Sequence, residues 1–197
     1  MVKDHLALME ELKGYASPKA RLSRMIKSGS IIQVRRGLFV DDKTIPPRVL
    51  SPLIYGPSYL SFEYALSNYG LIPERVTIFT SASYNKNRDK TFHTPFGEYY
   101  YYYIPTAVYP HGLAREMEKG SPYIIALPEK ALCDALYKTS GINTVNDLER
   151  LLLDDWRMEK MDLMNLDSIF ISFLAPLYRR KPLKLLDLWL KREKKNA

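Results

Sequence analysis

Apolar positions Leu6, Leu8, Met9 and Leu12 recur at near-helical spacing and are closed by Gly14, which predicts a first helix over 4–13. Ser17-Pro18 then pairs a capping hydroxyl with proline at a first helical position, so a second helix is expected to run to Ser28 and stop at Gly29. Leu22, Met25 and Ile26 fall on one side of it, and Lys19, Arg21, Arg24 and Lys27 lie off that stripe. The β-branched run over 30–40 is broken by Arg35-Arg36-Gly37. It reads as two short strands joined by a tight turn with both arginines at the tip. Residues 41–47, polar and proline-bearing, read as a linker.

Beyond the linker, 58–68 reads as a capped helix ending before Gly70, and 76–82 as a strand. Residues 91–95 and 97–104 predict a hairpin turning at Phe96-Gly97, and 122–127 a further strand. Pro128 opens another helix. Thr144 with Asp147 three residues on approximates a capping box for a helix over 144–156. Residues 167–195 read as two helices broken near Pro182. The expected class is α+β, with an N-terminal winged-helix-type module over 1–45. A mixed α/β domain with C-terminal helices is expected over 46–197.

Composition alters this picture little, because 46% apolar and 26% charged residues are ordinary for a globular chain. No apolar stretch approaches the ~20 residues of a membrane-spanning helix, and the N-terminus lacks the apolar core of a secretion signal. The single cysteine, Cys133, suits a reducing compartment, so the expected location is the cytoplasm, with no membrane partner. Charge is more telling. The formal net charge is +7, yet residues 12–40 carry Lys13, Lys19, Arg21, Arg24, Lys27, Arg35 and Arg36 with no acid at all. Residues 179–195 carry eight bases against Asp187 and Glu193, which leaves the remainder net acidic. Such segregation suits a polyanion-binding surface.

Helix, basic helix and two-stranded ribbon is the order in which winged helices present DNA-reading elements. Candidate DNA contacts are Ser17, Lys19, Arg21, Arg24, Lys27, Arg35 and Arg36. Arg21 and Arg24 are the candidates for base edges, and the two wing arginines for phosphates. Only about one helix fits before Ser17, so the module is expected either to be truncated or to be completed by a helix from elsewhere, for which the C-terminal helices are the candidates. Tyr99–Tyr103 is a run of five tyrosines beside Lys86, Arg88 and Lys90, a possible second nucleic-acid surface where bases stack on aromatics. A strand sends alternate tyrosines to opposite faces, so ordinary sheet packing accounts for them as well. No catalysis, cofactor or metal is expected. His5, His93 and His111 are scattered, Cys133 lies among helical apolar residues, and no phosphate-loop or nucleophile-elbow motif occurs.

Three phrases in order carry a resemblance: 20–40 (ARLSRMIKSGSIIQVRRGLFV), 58–73 (SYLSFEYALSNYGLIP) and 126–137 (ALPEKALCDALY). Together they resemble the AbiEi-type antitoxins, predicted transcriptional regulators of type IV toxin–antitoxin systems in bacterial phage defence. The motif positions are Ser58, Ser61, Gly70, Pro128, Glu129, Lys130 and Asp134. The resemblance implies autorepression through the winged helix and neutralisation of a nucleotidyltransferase-type toxin by the rest of the chain. The partners it implies are the protein's own promoter DNA, the cognate toxin (directly or functionally) and a second copy on DNA. Two alternatives stay open: a protein-interaction antitoxin that binds DNA only non-specifically, and an RNA-binding protein using the tyrosine strand.

Overall fold

A computed structural model describes residues 2–196. The chain opens with strand β1 (Val2–Asp4), and Asp4 caps helix α1 (His5–Glu11) by accepting the N–H of Ala7 at 2.7 Å. Helix α2 (Pro18–Lys27) follows and ends at Gly29, whose φ of +72° provides the left-handed stop. Ser17 occupies the cap position, but its hydroxyl makes no cap bond, contrary to the expected hydroxyl cap. Strands β2 (Ile32–Arg35) and β3 (Leu38–Val40) turn at Arg36-Gly37, and the Gly37 carbonyl accepts the N–H of His5 at 3.1 Å. The three strands pair antiparallel in the order β1-β3-β2. Leu8, Leu12, Leu22, Ile31 and Phe39 form a small core between this sheet and the two helices.

Helix α3 (Pro47–Ile54) stands at the end of the expected linker, with Pro46 as cap and Pro47 in its first turn. Residues 58–68 divide into strand β4 (Ser58–Leu60) and helix α4 (Phe62–Asn68), so the helix expected from Ser58 begins four residues later. Next come β5 (Phe79–Ser83), β6 (Lys90–Thr94), β7 (Gly97–Tyr103), β8 (Leu113–Glu118) and β9 (Ser121–Ala126). These form a mixed six-stranded sheet in the order β6-β7-β5-β4-β9-β8, with β5/β7 and β4/β9 parallel. The remaining elements are α5 (Pro128–Lys138), α6 (Val145–Arg150), α7 (Lys160–Asn165), α8 (Ser168–Tyr178) and α9 (Lys181–Asn196). Helix α6 carries the expected Thr144/Asp147 capping box and runs into a π-helical turn over Leu151–Asp155. The break between α8 and α9 falls at Arg179, which adopts a left-handed conformation; Pro182 lies inside the first turn of α9.

One face of the large sheet is covered by α4, α5, α8 and α9, around a core that includes Leu132, Leu174, Leu186 and Trp189. The opposite face holds the N-terminal unit. Val34, Leu38 and Val40 share a buried cluster with Leu50 and Ile54 of α3 and with Tyr99 and Tyr101 of β7. The chain division near residue 45 is therefore not a division of the core. The buried clusters of the N-terminal unit take residues from α3 and β7 and none from α8 or α9, so completion by the C-terminal helices is not what is found. Among the described residues no helix is long and apolar enough to cross a membrane.

Candidate nucleic-acid interface

Helix α2 buries Leu22 and turns Lys19, Ala20, Ser23, Arg24 and Lys27 to solvent. Positions 20, 23, 24 and 27 form one stripe at i, i+3, i+4, i+7, with two short side chains, Ala20 and Ser23, followed by two long cations, Arg24 and Lys27. Arg24 and Lys27 sit in the last turn, where the helix dipole favours positive charge. Lys19 does not gain from this. It stands in the first turn, near the positive dipole end, with no acid beside it. Lys19 and Lys27 make no hydrogen bond or ion pair among the described residues. Ser17 leaves its hydroxyl free, and the first-turn N–H groups of Lys19 and Ala20 have no intrahelical acceptor by position. Met9, Lys13, Ser17, Pro18 and Lys19 line an open cavity of about 400 Å³ at this helix end. Lys13 itself is ion-paired with Glu10.

The remaining arginines of the segment divide. Arg21 is half-buried, with its guanidinium 5.0 Å from the Tyr15 ring centre and its Nε enclosed without a partner. That stacking holds it beside the α1–α2 loop, off the stripe that carries Arg24. Arg35 folds back on the body, donating to the carbonyl of Leu53 at 3.4 Å and to that of Arg36 at 2.8 Å. Arg36 is exposed at the turn. Of the two base-edge candidates only Arg24 is presented outward, accompanied by Ser23 and Ala20. Ser23 is legible as a hydroxyl able to bond phosphate, whereas Ala20 carries neither charge nor polar group and is marked only by the i, i+3, i+4 stripe opposite Leu22.

The motif residues of the second part gather elsewhere. Asp134 is wholly buried and accepts from Lys130 at 2.7 Å and Tyr178 at 2.6 Å through Oδ1. Its Oδ2 accepts from Ser61 at 2.7 Å and Tyr59 at 3.0 Å. The equally buried Lys130 also donates to the Tyr178 hydroxyl at 2.5 Å. Burial first, and the Asp134 carboxylate second, hold the Tyr59 and Tyr178 hydroxyls well above the usual phenol range. Ser61 makes no cap bond to α4; the Tyr64 N–H it could have met donates instead to the Thr80 hydroxyl at 3.1 Å. Glu129 accepts the N–H of Asp167 at 2.9 Å, Pro128 opens α5, Ser58 is buried, and Gly70 ends α4 at a φ of +72°. This set locks β4, α5 and α8 together and exposes neither Asp134 nor any of the four side chains that donate to it.

Tyr99 and Tyr101, on one face of β7, are buried and donate to the backbone carbonyls of Pro47 and Ser51 at 2.9 and 2.7 Å. Their rings are committed to α3. Tyr100 and Tyr102 are half-buried on the other face, where Tyr102 meets Phe62 edge-on. Cys133 is enclosed in α5, and burial pushes its thiol up, away from nucleophilic character. Among the described residues no group of three or more His, Cys, Asp or Glu side chains is placed to hold a metal ion. Several C-terminal bases are paired: Lys191 with Asp187, and Arg192 with Glu149 and Glu193. No protein-family model matches the sequence, and no curated protein matches it.

Proposed function

We propose that the protein is a winged-helix-type DNA-binding regulator whose α2 enters the major groove of duplex DNA, with β2–β3 as the wing. The observation that carries this reading is the outward face of α2: three cations, no acid, and short side chains at Ala20 and Ser23 between them. A surface that only solvates a helix mixes charge signs, whereas this one leaves Lys19 at the unfavourable end of the dipole. In the β1-α1-α2-β2-β3 order, β1 pairs with β3 and completes a three-stranded sheet with the wing. Short side chains let a helix approach base edges while Arg24 pairs with a base and Lys19 and Lys27 meet phosphates. Such a protein acts on its own promoter, in the cytoplasm, without catalysis.

Replacing Arg24 and Lys27 together with alanine is expected to lower affinity for duplex DNA from the region upstream of the protein's own reading frame. The log–log salt slope should fall by one to two, at ~0.9 for each phosphate left unneutralised. A double variant that binds this DNA as tightly as the parent, at low and high salt alike, would falsify the assignment of α2.

The resemblance to AbiEi-type antitoxins adds neutralisation of a nucleotidyltransferase-type toxin, and one observation favours a protein partner. Helix α8 carries Ile169 at 83% exposure and Phe173 at 49%, an apolar stripe on the side of the sheet away from α2. Ile169→Glu with Phe173→Glu is expected to abolish protection in cells co-expressing the toxin while leaving DNA binding intact. Full protection by this variant would remove α8 from the partner surface.

A further inference from the structure

The loop between β5 and β6 carries Lys86 and Arg88, Lys90 opens β6, and the fold brings this segment to the wing. Arg35 of β2 reaches the Leu53 carbonyl near the end of α3, and Tyr55 lies two residues further on. The ammonium of Lys86 stands 5.0 Å from the Tyr55 ring centre. Phe92 of β6 packs on the same ring at 5.8 Å and on Tyr101 at 5.7 Å, and edge strand β2 lies against edge strand β6. Side chains on a strand alternate, so Lys90 shares the face of Phe92, which is the face occupied by the N-terminal unit. The Arg88 and Lys90 side chains make no hydrogen bond or ion pair among the described residues.

The one acid of the loop points the other way. Asp89 is paired with Lys138 at 2.9 Å and accepts the N–H of Tyr103 at 3.1 Å, on the helix-covered side. The next acid along this edge is Glu98, which sits at the far end of the β6–β7 ladder, beside His93. Lys86 and Lys90 thus lie on the side of the N-terminal unit and Asp89 on the side of the helices, with Arg88 exposed between them. Phosphates flanking a groove-bound helix repeat along the duplex, so cations placed beyond a wing meet the next stretch of backbone.

We propose that Lys86, Arg88 and Lys90 continue the wing as a second phosphate-binding segment, so that one duplex is held by α2, the wing and the edge of the large sheet together. The proposal rests on the reading of α2 as the DNA-entering helix. It assigns the loop to duplex backbone and not to stacked single strands, because Tyr99 and Tyr101 are committed to α3.

The test is fluorescence anisotropy of the full chain on random-sequence duplexes of about one and about three helical turns, ~10 base pairs each, across a salt series. The parent should show a steeper salt slope on the long duplex than on the short one. Lys86→Ala, Arg88→Ala and Lys90→Ala combined should lower the long-duplex slope by about two to three and leave the short-duplex slope unchanged. The pair Arg88→Ala and Lys90→Ala, which keeps Lys86 on Tyr55, should lower it by about two and melt like the parent. Arg24→Ala with Lys27→Ala should weaken both duplexes. If the loop variants match the parent on the long duplex while the α2 variant is weakened, the second segment is overturned and the reading of α2 stands. If the parent binds neither duplex, or the α2 variant is not weakened, the reading of α2 fails and the proposal with it.

Discussion

Asp134 is surrounded by four donors on two oxygens, and every one of those groups is buried. A buried ion pair of this kind adds little net stability over apolar packing, but losing one partner strands the other charge. Asp134→Ala is therefore expected to cost ~3–5 kcal/mol in urea unfolding, because Lys130 stays enclosed without its counter-charge. Lys130→Met with Asp134→Leu should recover the part of that loss owed to the stranded charge, though not the part owed to the Ser61, Tyr59 and Tyr178 hydroxyls left without an acceptor, and a double variant as unstable as the single one would contradict this account. At the sequence level, Glu129, Lys130 and Asp134 read as a helix-capping and ion-pair set, and Lys130 and Asp134 do form an i, i+4 pair. What spacing does not reveal is that Ser61, Tyr59 and Tyr178 converge on the pair from 44 to 75 residues away. That convergence depends on β4 and α8 packing against α5, which no local pattern encodes. Arg21 departs from expectation for a similar reason: its distance from the Leu22 stripe suggests exposure, yet Tyr15 in the preceding loop covers it.

At the level of elements, α2 separates two kinds of arginine. Arg24→Ala is expected to cost ~1–3 kcal/mol on a preferred duplex and to relax preference at one base position. Arg21→Ala should chiefly loosen the α1–α2 loop, lowering stability by ~0.5–1 kcal/mol as the Tyr15 ring is left without its cation. Competition titration against preferred and scrambled duplexes, paired with thermal melts, separates the two; equal losses of discrimination would return Arg21 to the groove. Elements with strong local signals are legible in the sequence: α2 from its proline start and glycine stop, the β6–β7 hairpin, α5 behind Pro128, and the capping box of α6. Strand β8 is not legible, because it is an edge strand whose Arg115, Glu116 and Glu118 give it no clean apolar face. Strand β1 is three residues long, too short for a period to show. Helix α3 is hidden by Pro46 and Pro47, which read as the end of a linker although they sit at its cap and first turn, and by Pro52 inside it.

Over the whole molecule, the N-terminal unit is bonded to the large sheet through a shared core, which changes what a truncation would do. Deleting 1–45 removes Val34, Leu38 and Val40 and uncovers Leu50, Ile54, Tyr99 and Tyr101. The truncated chain is expected to aggregate or bind hydrophobic dyes, and a monodisperse product with parent-like melting would show the sheet stands alone. The same junction predicts how the molecule responds to alkali. Burial pushes the Tyr99 and Tyr101 hydroxyls far up, and burial also pushes Tyr69 and Tyr109 up to about 12. An unfolded tyrosine ionises near pH ~10. The folded state thus keeps protons that the unfolded state gives up. The stability linked to these groups is complete below pH ~10 and is lost as pH climbs from there through the folded values. The urea midpoint should hold up to about pH 10 and then fall, with a final tyrosinate step, that of the buried tyrosines, coinciding with unfolding. Tyr101→Phe loses the bond to the Ser51 carbonyl but cannot ionise, so its midpoint should begin lower and fall less steeply. If tyrosinate instead appears gradually while the midpoint stays level above pH ~10, the junction tyrosines are open to solvent and the shared core is looser than their burial indicates.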